Sequence, residues 1–205
     1  MKTILFQGDS ITDASRNREN PVNNGCGYVT MIAGSLGADK ENYKVINKGI
    51  AGVGIASLVS TVPSDFLKLK PDYLSILIGV NDALYEARER EKRCVSVKKF
   101  EALYSLLIEE IKENLPNIKI ILMSPFLYKG SATEDNFELL HQEVIKLEEC
   151  VKALSEKYNL SFICLREEFE KSTVNNITYD GVHPTAAGHE IIKRAWLKKF
   201  YEIKE

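Results

Sequence analysis

Short apolar runs alternate along the chain with longer amphipathic stretches. Runs at 3–7, 43–47, 73–78, 118–123 and 160–165 are rich in Ile, Leu and Val and lack strict polar alternation. A strand covered on both faces has this pattern, because neither side meets water, so the runs predict a parallel sheet. Between them the apolar spacing changes to three and four. Phe100, Leu103, Leu107, Ile111 and Leu115 form one stripe, and Leu139, Leu140, Val144, Leu147, Val151 and Leu154 a second. In the last segment Ile191, Ile192, Ala195, Trp196 and Phe200 share a side, with Pro184 expected in the first helical turn and Trp196 in the core. Strands alternating with helices predict an α/β fold with helices on both sheet faces and right-handed crossovers. Segment 86–99 is highly charged and reads as an insertion. It can cover a site, but its charge favours a solvated surface helix.

Length and charge narrow the picture. The 205 residues suit one domain, 1–205, large enough to bury a core without disulfides or metals. Lys and Arg number 27 against 29 Asp and Glu, and no basic stripe or charged tail points to a nucleic-acid partner. Ile4, Leu5 and Phe6 are an apolar run too short for a signal-peptide core or a membrane span. Cys26, Cys94, Cys150 and Cys164 are scattered, with no C-x-x-C pair and no His cluster, so a zinc site has no support. They read as free thiols of a cytoplasmic protein.

Ligands of open parallel sheets bind beyond the carboxyl ends of the strands. There the chain places Gly8-Asp9-Ser10-Ile11-Thr12, then Asn47-Lys48-Gly49-Ile50-Ala51-Gly52, then Gly79-Val80-Asn81-Asp82, and near the C-terminus Asp180-Gly181-Val182-His183-Pro184. Acyl transfer needs such parts. A serine hydroxyl becomes a useful nucleophile when a base takes its proton, which a neutral imidazole does near pH 7. A carboxylate then orients the imidazole and stabilises its cation. Asp180 lies three residues before His183, within reach of one turn, and Pro184 biases His183 toward extended backbone. The Ser10 and Gly52 N–H groups and the Asn81 amide are candidate oxyanion donors. Each segment alone has a plainer use, as a capped turn, a helix cap or a tight glycine turn; their joint placement makes the case. Gly49, Gly52 and Gly54 do not complete a nucleotide-binding fingerprint, because Ser57 stands where the third glycine belongs.

These blocks carry a resemblance. Gly8-Asp9-Ser10-Ile11-Thr12-Asp13, Gly52, Gly79-Val80-Asn81-Asp82 and Asp180-Gly181-Val182-His183-Pro184 resemble, in order, the four blocks of SGNH (GDSL) hydrolases. The resemblance implies a flavodoxin-like three-layer α/β/α sandwich with a five-stranded parallel sheet. It implies Ser10 as nucleophile, Asp180 and His183 as its partners, Ser10, Gly52 and Asn81 in the oxyanion hole, and no metal or organic cofactor. The G-x-S-x-G elbow of α/β-hydrolases is absent, since Thr12 holds the second glycine position. A narrower likeness is carried by Arg16, Gly25-Cys26-Gly27-Tyr28, 120–126 and Val182-His183-Pro184-Thr185-Ala186-Ala187-Gly188-His189. These resemble bacterial acetylxylan esterases of the superfamily. That likeness implies a small-molecule ester substrate, an acetylated sugar such as a xylo-oligosaccharide, and a homo-oligomer.

The polar loop 13–24 suits a sugar better than a long acyl chain. Asp9, Arg16, Tyr28, Phe126 and Tyr128 are candidates for lining the substrate, although the aromatics can equally be packing residues. His189 can support the site or cap and pack its helix, and His141 reads as surface. A lysophospholipase or thioesterase is the rival enzyme. A non-catalytic small-molecule binder on the same sheet is the rival of another class.

Overall fold

The computed structural model describes residues 1–20, 22–37, 42–87 and 95–204. In chain order the elements are β1 (Lys2–Gly8), α1 (Ser10–Asp13), α2 (Tyr28–Gly37), β2 (Tyr43–Asn47), α3 (Ile55–Ser60), a π-helical segment (Val62–Leu67), β3 (Tyr73–Leu77), α4 (Val80–Ala87), α5 (Val97–Asn114), β4 (Lys119–Met123), α6 (Phe137–Tyr158), β5 (Ser161–Ile163), α7 (Leu165–Glu170) and α8 (Ala186–Ile203). Residues 88–94, the middle of the charged segment, lie outside the described residues, and with them any surface helix or cover there.

The strands form one parallel sheet in the order β2-β1-β3-β4-β5. Leu5 pairs with Leu74, Leu74 with Ile120, and Leu122 with Phe162. The central strands are buried on both faces, as their unbroken apolar runs require. Helices α2 and α7 pack with α8 in one layer; α3, α4, α5 and α6 make the other. Trp196 of α8 lies wholly inside, against Phe6 at 4.9 Å, and its indole N–H donates to Ser75 Oγ of β3 at 3.0 Å. That bond satisfies two buried polar groups at once.

The helical stripes fall inside α5, α6 and α8. Phe100, Leu107 and Ile111 are buried, as are Leu140, Val144, Leu147, Val151 and Leu154; Leu139 faces outward because Leu140 holds the core side of that turn. Apart from one-residue shifts at strand ends, two boundaries differ from the sequence reading. The last strand stops at Ile163, not at 165. Leu165 N–H donates to Ser124 Oγ at 2.9 Å and opens α7, so its burial is that of a helix, not a ladder. Pro184 is not in the first turn of α8. Thr185 is the N-cap, its hydroxyl accepting from Gly188 N–H, and Pro184 remains extended in an antiparallel bridge with Thr178. His141 is half-buried rather than on the surface, its ring stacked on Phe137 at 5.3 Å.

Candidate active site

The sheet order reverses direction between β1 and β3, which opens a crevice beyond their carboxyl ends. Ser10 enters from β1 and Asn81 from β3. Gly8 ends β1 where a Cβ would lie 2.3 Å from the Leu77 carbonyl and 2.4 Å from Thr12 Oγ1, so the turn needs glycine. Asp9 then caps α1, its Oδ1 accepting from Ile11 N–H at 3.0 Å. This places Ser10 at the first position of a helix whose leading N–H groups have no partner within it.

Ser10 Oγ lies 2.9 Å from His183 Nε2. His183 Nδ1 lies 2.6 Å from Asp180 Oδ2. The other Asp180 oxygen accepts from the N–H groups of Val182 at 2.9 Å and His183 at 2.7 Å. Burial alone would raise the Asp180 carboxyl, but the hydrogen bonds from the His183 backbone, the His183 ring and Val182 outweigh it and hold it below the ordinary range. Asp180 is therefore ionised at neutral pH. It holds the Nδ1 proton and leaves the Nε2 lone pair toward Ser10. A neighbouring loop braces this turn: Tyr128 N–H donates to the Gly181 carbonyl at 2.8 Å and Ala132 N–H to the Asp180 carbonyl at 2.9 Å.

The turn after β2 is tied to the same rim. Ile50 N–H donates to the Gly8 carbonyl at 2.9 Å, and Ala51 N–H to Asp13 Oδ2 at 3.1 Å. Gly52 has a positive φ of 77°, open to glycine and strained for other residues. Asn81 donates one amide hydrogen to the Val53 carbonyl at 3.0 Å, which joins the Gly52 turn to α4. Asp82 accepts from Ile55 N–H and secures the start of α3.

Residues 6–191, from within β1 to within α8, match the GDSL-like lipase/acylhydrolase family. The chain belongs to that family. Like its relatives, this acylhydrolase is a serine carboxylic-ester hydrolase. It is 32% identical to an acetylxylan esterase of Geobacillus stearothermophilus, over 96% of this chain and 92% of the relative. The crystal structure of that species' acetylxylan esterase superposes with a TM-score of 0.84 at 31% identity, covering 97% of this chain and 93% of the other. A GDSL-like protein of Parabacteroides merdae superposes with a TM-score of 0.87 at 33% identity, covering 97% and 94%.

Beside Ser10 and His183 the acylhydrolase has an open depression of about 680 Å³. Its wall includes Ile11, Ala14, Ala51, Tyr179, Ala186 and His189. The five residues expected to line the substrate are not in this wall. Asp9, Tyr28 and Phe126 are core residues: Asp9 caps α1, Tyr28 OH bonds Thr12 Oγ1 at 2.9 Å, and Phe126 packs on Phe169 at 4.7 Å. Tyr128 also packs on Phe169 and reaches the site only through its backbone. Arg16 donates from Nε to the Gly49 carbonyl at 2.7 Å and clamps the turn that leads to Gly52. Nearness in sequence to a site block did not tell which way these side chains point. Tyr179, absent from the sequence reading, is in the wall because its ring lies parallel to His183. Among the described residues no group of three or more His, Cys, Asp or Glu is placed to hold a metal ion.

Asp9 carries a further consequence. Its Oδ2 is buried with no partner among the described residues. Burial pushes its carboxyl up to about 7, against the Ile11 hydrogen bond, and the Asp82 carboxylate adds to the rise. In the unfolded chain the group ionises near 3.8. Between those values the folded state binds more protons, so stability falls as pH rises from about 4 to about 7. At about 1.4 kcal/mol per unit the loss is on the order of 4 kcal/mol. Asp9→Asn keeps the Ile11 cap and removes the charge. Thermal melts should therefore show the variant gaining stability over wild type progressively from about pH 4 to about 7 and levelling off above that. A constant difference across that range would remove Asp9 as the source.

Proposed function

We propose that this acylhydrolase removes acetyl groups from sugars, xylo-oligosaccharides above all, through an acyl-enzyme in which Ser10 is the nucleophile. The observation that carries the reading is the Ser10–His183–Asp180 relay, at 2.9 and 2.6 Å, opening onto a shallow depression. His183 Nε2 takes the hydroxyl proton as Ser10 Oγ attacks the acetyl carbon. It then gives that proton to the departing sugar oxygen as the ester C–O bond breaks. Water, activated by the same imidazole, releases acetate. The Ser10 and Gly52 N–H groups and the second amide hydrogen of Asn81 hold the oxyanion.

Small residues support a short acyl group: Ala14, Ser15, Ala51 and Ala186 lie in the wall. The acetylxylan esterase relatives point to the same substrate. One catalytic domain in a reducing cytoplasm completes the proposal. Cys26, Cys150 and Cys164 are free thiols, and no described helix is long and apolar enough to cross a membrane.

Acetate release from acetylated xylo-oligosaccharides tests the reading, beside p-nitrophenyl esters of rising chain length. We expect release from the sugars, and kcat/KM at least about tenfold lower for octanoyl than for acetyl esters. Faster long-chain turnover would replace this reading with a lysophospholipase or thioesterase. No turnover, and no labelling of Ser10 by an organophosphonate, would leave the non-catalytic binder.

A further inference from the structure

Two side chains in the wall of the depression present surfaces that the ester chemistry leaves unused. His189 Nδ1 accepts a hydrogen bond from Tyr28 N–H at 3.2 Å. That nitrogen therefore offers its lone pair, and the ring hydrogen sits on Nε2. Among the described residues Nε2 has no partner, and the ring forms part of the wall. Burial, reinforced by His183, lowers the His189 imidazole to about 4. His189 is thus an uncharged donor with a fixed tautomer beside His183, and it adds no positive charge there that would weaken the base.

Tyr179 stands in the same wall. Its ring lies parallel to the His183 imidazole within 15°, with centroids 5.6 Å apart. Its N–H donates to the His183 carbonyl at 3.1 Å, so the backbone holds the ring in place. The side chain is nonetheless 69% exposed. One ring face covers the imidazole and the other is open. An open aromatic face at the mouth of a site suits a partner with an apolar C–H face, and a nearby neutral N–H suits an oxygen-rich rim. A pyranose has both.

We propose that Tyr179 and His189 form the subsite for the leaving group: the open face of Tyr179 takes the C–H face of a pyranose, and His189 Nε2–H donates to one of its oxygens. This rests on the acetyl-sugar reading and says which residues select the sugar. A fatty acyl chain or simple alkyl alcohol would use neither the donor nor the ring orientation.

The test compares two esters by acetate release: acetylated xylo-oligosaccharides, and ethyl acetate, which has no ring and no hydroxyl. Tyr179→Ala and His189→Phe should each raise the ratio of the sugar KM to the ethyl acetate KM about tenfold, with kcat changing much less. Tyr179→Trp, which restores an aromatic face, and His189→Gln, which restores an N–H near the same point, should bring the ratio back toward wild type. Thermal melts identify any variant that fails to fold, and the two restoring variants then decide. An equal rise on both esters overturns the subsite and leaves the two residues structural. A changed particle mass in light scattering for Tyr179→Ala with the ratio unmoved overturns it in favour of a contact between copies. Wild-type cleavage of ethyl acetate with none of the acetylated sugars overturns the acetyl-sugar reading itself.

Discussion

Ser10→Ala and His183→Ala should each lower kcat by about 10⁶-fold, and the double variant should be no slower than either single one. The two groups act as one device, because Ser10 Oγ and His183 Nε2 share a single proton across 2.9 Å. Without the hydroxyl there is nothing for the imidazole to activate; without the imidazole the hydroxyl keeps its proton. What remains in either variant is the oxyanion donors and substrate binding, worth about 10³–10⁴ over water. Both side chains border the open depression, so each truncation enlarges a solvent-facing space and leaves the core intact. Saturating acetate-release rates on folded variants provide the measurement. A His183→Ala enzyme within tenfold of wild type would mean that another group takes the proton.

Asp180→Asn should cost about 10⁴ in kcat with the fold preserved. Asn retains an oxygen for the Val182 and His183 N–H groups that Asp180 Oδ1 now serves at 2.9 and 2.7 Å. It cannot serve the ring in the same way. Facing His183 Nδ1 with an amide N–H, it draws the lone pair to that side, and the Nε2 hydrogen then points at Ser10. The base is turned away from its nucleophile, and its cation loses the carboxylate. A stability signature accompanies the kinetic one. The folded-state value for Asp180 lies below its ordinary 3.8, so its contribution is present above that pH and is lost as pH falls through the folded value. Asp180→Asn should lack that part of the acid transition. Retention of more than about a tenth of wild-type kcat would show that the carboxylate is not needed to set the tautomer.

Much of this architecture can be read from residue order. Five apolar runs without alternation became five parallel strands, because a strand covered on both sides tolerates no polar face. Part of the chemistry was visible because its groups come soon after strands, as Ser10 follows β1 and Asn81 follows β3; Asp180 and His183 come only after α7, and their three-residue spacing is what marked them. What stayed hidden depends on contacts distant in sequence. The tautomer of His189 is set by Tyr28, 161 residues away, and the burial of Tyr28 by Phe6 and Thr12. Periodicity cannot say that Phe126 turns into the core while Tyr179 stays in water. The end of β5 was misplaced for a related reason: Leu165 is as apolar in a helix as in a strand, and only the Ser124 side chain, from another loop, shows which it is.

Ser10 and His183, the proposed nucleophile and base, lie 173 positions apart in the chain. Synthesis must extend the chain by 173 positions beyond Ser10 before His183 exists to reach it. On the proposed roles, a chain stopped short of His183 lacks the base and should be inert toward esters. The same separation ties catalysis to the folded state. Undocking α8 or the turn before it separates the two groups at once, so ester cleavage should decay in step with the loss of that packing rather than outlast it.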